Sequence, residues 1–305
     1  MKSVSNRSLV WAIVASMALW GLSWPSGKVL THYCAPVNLA ILRYIIVILT
    51  LFPFLAAIKT SFRVRTKSIA AIIASGALLA IYTWLFFQGL KFGAPGAGGV
   101  LVTTLNPVVA YAIGIVLSRR LPSPNESAGL ISGLVAGVVL LKVWENAGAV
   151  LDPGNLYFLL AAITWAVMSK FTSQGALSGS ALGFSLWQYV VTLACLLPLL
   201  NIHDLAQVLK IKDAIFWGNL IFSSAIVTTL ATTVYFYSTT RLGAEKASSY
   251  IFMVPLAAAL SACFLLGEKI QLHTAVGGAL GILAVYLINR RKDITPMQLQ
   301  DENVS

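Results

Sequence analysis

Apolar runs of about twenty residues recur along this chain, divided by short polar or basic breaks. A helix needs about twenty apolar residues to cross a bilayer core. Ten runs fit that requirement: Leu9–Leu30, Val37–Ile58, Ser68–Leu90, Ala97–Leu117, Ser127–Val143, Asn155–Thr172, Ala181–Leu200, Ala214–Thr239, Ala247–Leu266 and Thr274–Asn289. None shows the short polar–apolar alternation of a membrane β-strand. The expected fold class is all-α integral membrane, with ten transmembrane helices. Between the seventh and eighth runs, NIHDLAQVLKIK (Asn201–Lys212) has the spacing of a short helix lying in the interface. Residues 293–305 are polar and are expected to form a disordered cytoplasmic tail.

Composition supports the membrane reading. Hydrophobic residues make up 58% of the 305 and charged residues 10%, whereas a soluble domain carries about 25% charged residues. The net charge of +11 does not point to nucleic acid, because the basic residues sit in small clusters between apolar runs. Lys2 and Arg7, then Lys59 to Lys67, Arg119–Arg120, Lys170, Arg241 with Lys246, and Arg290 to Lys292 all fall on one side if ten spans alternate. That side is cytoplasmic by the positive-inside rule, and both termini lie there. The first run lacks a small-residue cleavage site and is too long for a signal peptide. Cys34, Cys195 and Cys263 show neither metal spacing nor an even count for a disulfide framework. No cofactor or metal is called for.

The chain also resembles itself. Trp20 matches Trp165, Tyr44 matches Tyr189 and Pro53 matches Pro198, all at a separation of 145. Gly93-Ala94 matches Gly243-Ala244 at 150, and Pro107, Gly129 and Gly133 match Pro255, Gly277 and Gly281 at 148. Two halves are expected, 1–146 and 150–292, each with five spans. Five is odd, so the second half starts on the opposite side and is inverted. Inverted repeats are a mark of transporters that rock one half against the other around a midplane site.

Several motifs carry a family likeness. They are LWGLSWPSGK in the first span, ILRYIIV around Arg43, GAEKASSYIFMVPL in the ninth, and LLGEKI (Leu265–Ile270) before HTAVGGALGIL. With these the chain resembles the ten-helix EamA-type members of the drug/metabolite transporter superfamily, and among them it looks most like the aromatic amino acid exporters. The resemblance covers both halves. It implies export of small metabolites across a bacterial inner membrane from a central cavity. One departure is plain: Gly267-Glu268 in the second half faces Ser118-Arg119-Arg120 in the first, so an acidic position is missing there.

Candidate substrate-binding residues come from what is polar or aromatic inside the spans. Arg43 sits inside the second span without an acidic residue in its own half's spans; an ionisable group there either serves function or ties exposed helix-end carbonyls. Its repeat counterpart is Gln188. Lys28 is either a snorkelling residue at a span end or a basic group at the cavity mouth. Tyr82 and Phe86 share one helical face. With Trp165, Tyr189 and Tyr235 they could wall an amphipathic pocket, or serve as core and interfacial anchors. Threonines 228, 229, 232 and 233 raise the same choice, since they can bond their own helix backbone. Pro25, Pro107 and Pro255 are expected helix breaks. Asn106, beside Pro107, either binds cargo or caps the freed backbone. Gly129, Gly133 and Gly137, echoed by Gly277 and Gly281, read as a packing face within the bundle or across a dimer.

Missing chemistry narrows the choice. No Asp or Glu lies deep in any expected span, which argues against proton-coupled export of cationic drugs. Clustered carboxylates for an intramembrane enzyme are also absent. The expected function is a metabolite exporter, with amino acids, aromatic ones included, as leading cargo. Other organic anions or nucleotide sugars are the alternative. Partners reduce to a small-molecule substrate and the lipid bilayer, with no nucleic acid, and the protein is a monomer or homodimer.

Overall fold

A computed structural model describes residues 6–93, 95–119, 121–145, 153–258 and 272–290. Every regular element among these is helical. In order they are α1 (Asn6–Leu30), α2 (Pro36–Ala57), α3 (Ile69–Phe92), α4 (Pro95–Ser118), α5 (Pro124–Leu140), α6 (Pro153–Ser173), α7 (Ala181–Leu196) and the short α8 (Ile202–Val208). A long rod follows, made of α9 (Ala214–Ile221), a π-helical segment (Phe222–Thr232) and α10 (Thr233–Leu242). Then come α11 (Ala244–Ser249), a 3₁₀ turn (Tyr250–Met253), helix again over 254–258, and α12 (Leu272–Asn289). Among the described residues, eight helical stretches are long and apolar enough to cross a membrane, and α5 falls just short at 17 residues.

Local chemistry sets several ends. Ser123 accepts from the Glu126 N–H while Glu126 accepts from the Ser123 N–H, and Pro124 opens α5, so that helix starts three residues earlier than its apolar run. Gly243, at φ 84°, makes the turn between α10 and α11 in a conformation that costs other residues more. Beside the α1–α2 turn, burial pushes the Cys34 thiol up to about 11, so it stays protonated.

Two expected breaks do not occur. α1 runs unbroken through Pro25 and α4 through Pro107. Each proline removes one donor from its helix, a loss that neighbouring helices and polar side chains tolerate inside a membrane bundle. Pro255 lies just past the 3₁₀ turn, so the irregularity there precedes the proline. The end of the ninth expected span, with Glu268 and Cys263, and the tail at 293–305 lie outside the described residues.

The two halves share one core. α3 lies against α6 and α7, α2 against α7 and the π segment, α1 against the π segment, and α5 against α12. Fully buried Phe158 of α6 fits a slot made by two glycines. A Cβ at Gly89 of α3 would come within 2.4 Å of its ring, and one at Gly98 of α4 within 2.3 Å. The glycine face of α5 is also filled from within the chain: Gly129 meets Ile288, Gly133 meets Phe252 and Gly137 meets Thr104.

Lys28 fastens the turn from α3 to α4. Its ammonium donates to the carbonyls of Leu90 (2.6 Å), Gly93 (3.1 Å) and Lys91 (3.4 Å). Those carbonyls end α3 without helical partners, and a cation there also complements the helix dipole.

Three substitutions test this packing by thermal unfolding of the detergent-solubilised protein. Gly98→Ala should cost about 1–3 kcal/mol by overpacking Phe158, whereas Gly96→Ala, with nothing within 4 Å of the new Cβ, should leave the melting temperature unchanged. Lys28→Met should lower stability by about 1 kcal/mol or more through orphaned carbonyls; an unchanged midpoint would remove its capping role.

Candidate functional site

Mid-bundle segments of α1, α2, α3, α4, α6 and the π segment surround a central cavity. Its volume is about 50 Å³. That is room for a few waters. Apolar and aromatic side chains make most of its wall, and the polar groups are few. Among the described residues no carboxylate lines it.

Arg43 enters from α2. Its Nε donates to Thr228 Oγ1 at 2.7 Å, and the guanidinium carbon lies 5.8 Å from the ring centres of both Phe86 and Phe87. A guanidinium is favourably placed over ring faces at such distances. No salt bridge to Arg43 forms among the described residues. Its two Nη groups also make no hydrogen bond there, leaving positive charge free toward the cavity.

An aromatic cluster faces it. Tyr82 sits edge-on to Trp165 at 4.5 Å between ring centres, and Trp165 sits edge-on to Trp20 at 5.1 Å. Trp24 packs against Phe86 at 5.0 Å. These offsets suit ring quadrupoles and leave faces for another ring to stack on. Trp165 is 5% exposed, and its indole N–H makes no hydrogen bond among the described residues. Asn106 is fully buried; its Nδ2 donates across to the Ala162 carbonyl of α6 at 3.2 Å, and its Oδ1 has no partner there.

The π segment supplies the opposite wall. Thr228 donates to the Ser223 carbonyl and Thr232 to the Val227 carbonyl, both five residues back, reinforcing the wide turn. The same hydroxyls accept from Arg43 Nε and, at 3.3 Å, from Trp20 Nε1. Extended π geometry is rare and tends to mark functional positions. Here it presents two hydroxyls to the first half of the chain.

Of the residues singled out from sequence, Arg43, Tyr82, Phe86, Asn106 and Trp165 line this one cavity. The others do not. Tyr189 is fully buried behind it, with its hydroxyl near the Thr228 carbonyl (3.3 Å) and Thr233 (3.2 Å). Gln188 pairs with Thr172, and Tyr235 supports Trp20 and Trp165 while its hydroxyl meets Ser169. Lys28 is committed to the α3 carbonyls described above. Pro25 and Pro255 border a second, apolar space of about 420 Å³ beside α1. Trp20, Ser23 and Trp24 line the central cavity without having been singled out as site residues; the match of Trp20 to Trp165 was the signal that pointed to one of them.

Loop contacts tie the halves at both ends of α2 and α7. At one end Tyr33 donates to the Asp213 carboxylate, and Asn38 exchanges hydrogen bonds with the Asn201 backbone at 3.0 and 3.2 Å. The Tyr33 hydroxyl and then the Ile215 N–H hold the Asp213 carboxyl below its usual range, and the same bond pushes the Tyr33 phenol up. At the other end the Arg65 N–H donates to the Ser178 carbonyl at 2.9 Å, and Trp187 Nε1 to the Phe62 carbonyl at 2.9 Å.

Comparison with known proteins bears on the fold and the family. A crystal structure of a protein superposes with a TM-score of 0.69 at 18% identity, covering 93% of this chain and 97% of the other, which establishes a shared fold. Sequence relatives include a probable amino-acid metabolite efflux pump of Salmonella typhimurium, 23% identical over 89% of this chain and 91% of its own length. A probable terminal-alkyne amino-acid exporter of Streptantibioticus cattleyicolor is 23% identical over 92% and 93%. The uncharacterized transporter YoaV of Bacillus subtilis is 22% identical over 92% and 97%. The model of the EamA-like transporter family matches residues 7–142 and then 152–290. Nearly the whole length is thereby accounted for, and the chain belongs to the EamA-like transporter family.

Proposed function

We propose that this protein exports amino acids, aromatic ones included, across a bacterial inner membrane by alternating access around the central cavity. The observation that carries this reading is Arg43, a guanidinium facing the cavity among aromatic rings with no carboxylate partner among the described residues. A cation inside a membrane bundle left unpaired is costly, and a carboxylate-bearing cargo offsets that cost while its side chain stacks on Tyr82, Trp165 and Trp20. The names of the Salmonella and Streptantibioticus relatives favour amino acids over other organic anions. A nucleotide sugar would call for several bases converging on its phosphates, and Arg43 is the one basic residue of the lining among the described residues.

We read the architecture as ten spans in two inverted five-helix repeats, 1–146 and 150–292, with both termini inside. Contacts between repeat counterparts support it. Trp20 touches Trp165 and Tyr44 touches Tyr189, as residues near an axis relating the halves would. Gly129 meets Ile288 while Gly277 meets Leu140, a reciprocal pair at one offset of 148. Tyr44 Oη pairs with Thr83 as Tyr189 Oη pairs with Thr233. Halves packed this way can rock about that axis and open each end in turn. The present cavity is too small for an amino acid, so loading widens it.

With no carboxylate in the lining among the described residues, we read the flux as facilitative. Two outcomes follow in proteoliposomes. Labelled phenylalanine should exchange without an ion gradient, at a rate unaffected by a pH difference across the membrane; strict dependence on that gradient would replace facilitated flux with proton coupling. Arg43→Gln should weaken phenylalanine exchange roughly tenfold or more, the scale of a lost charge-assisted bond, whereas Lys28→Gln should leave its half-saturation unchanged. Equal effects of the two variants would remove Arg43 from recognition.

A further inference from the structure

We infer that the cavity reads both charges of a zwitterion: α4 binds the ammonium group of the cargo through Asn106 Oδ1 and the Thr103 carbonyl, while Arg43 on α2 binds its carboxylate. The inference rests on the amino-acid reading above and narrows it to cargo with a free α-amino group.

The orientation of the Asn106 amide follows from chemistry. Its contact across to α6 is with the Ala162 carbonyl, which can only accept, so the amide nitrogen faces α6 and the oxygen faces away. That oxygen is fully buried and has no hydrogen-bond partner among the described residues. Buried acceptors are seldom left unpaired in folded proteins, and one that borders a cavity is satisfied by what enters the cavity. The next residue adds a second acceptor. Pro107 has no N–H, so the Thr103 carbonyl, four residues back, loses its α-helical donor. Thr103 and Asn106 are three apart, on one face of α4, and both line the cavity.

α4 therefore carries two under-satisfied acceptors on residues that line the same space as Arg43. Arg43 is engaged by Thr228 at Nε and has its Nη groups free among the described residues. An ammonium offers three donors and no acceptor, and a carboxylate offers acceptors alone. A zwitterion satisfies both walls at once. A cargo with a carboxylate alone leaves Asn106 Oδ1 unpaired, and one with an amine alone leaves Arg43 unpaired.

The test is competition against labelled phenylalanine exchange in proteoliposomes of the full-length wild-type protein, using phenylalanine, 3-phenylpropionate (no ammonium) and phenethylamine (no carboxylate). Each single-charge analogue should compete roughly tenfold or more weakly than phenylalanine, as expected for a lost hydrogen bond to a charged group. Asn106→Leu should weaken phenylalanine by a similar factor and leave 3-phenylpropionate within about twofold, because the acceptor it removes serves only the ammonium. Competition by 3-phenylpropionate equal to that of phenylalanine in the wild type would overturn the inference, as would Asn106→Leu weakening both ligands alike. The analogue series needs no variant, so it decides the question even where Asn106→Leu fails to fold. If the wild-type protein exchanges no amino acid at all, the amino-acid reading falls and this inference with it; failure of the analogue pattern alone leaves that reading standing.

Discussion

A guanidinium held inside a membrane bundle, with no carboxylate beside it among the described residues, governs much of what surrounds it. Hydrocarbon offers such a group nothing, so Arg43 lives on ring faces and a hydroxyl. The rings come from α3 and the hydroxyl from the π segment, and neither position makes sense alone. Phe86 and Phe87 must present faces at one height, and Thr228 must stand opposite. The π segment meets the second demand by widening the turn, with hydroxyl-to-carbonyl bonds five residues back that an α-helix would not use. A cost borne by one side chain is thus spread over three elements, and a cavity is left where the compensation is incomplete.

The same logic explains why the halves interleave instead of standing as two units. Aromatic and hydroxyl-bearing faces from both parts of the chain are buried against one another. Pairing α3 with α6, and α1 with the π segment, lets each half cover the other. Small residues make that closeness workable: Phe158 reaches its slot because Gly89 and Gly98 lack side chains, and α5 approaches α12 through Gly129 and Gly277. Without a strong hydrophobic drive between helices in lipid, such packing is a main source of association. Lys28, costly at that depth on its own, is engaged by the three carbonyls that end α3.

Individual residues show where sequence reasoning succeeds and where it stops. Span positions were legible because crossing lipid demands long apolar runs, and eight stretches of the described chain meet the demand. Arg43 was legible as special because charge inside a span is rare. Lys28 was ambiguous, since snorkelling and cargo binding ask for the same residue at the same span end. Tyr82, Trp165, Tyr189 and Tyr235 were alike in sequence; the first two face the cavity and the last two support it, a difference of rotation about a helix axis that spacing alone does not resolve. Prolines misled at α1 and α4, where the helix continues past the missing donor.

By itself the sequence determined that this chain is helical, membrane-embedded and without acidic residues deep in its expected spans. Those properties follow from composition and spacing, which lipid reads directly. Only the tertiary structure decided which side chains meet. It put Asn106 against Ala162 with its oxygen unpaired among the described residues, set Thr228 under Arg43, and drew Trp20 to Trp165 across 145 residues of chain. Such meetings depend on the angle and height at which helices pack, and those are settled by the shapes of all the side chains between them at once.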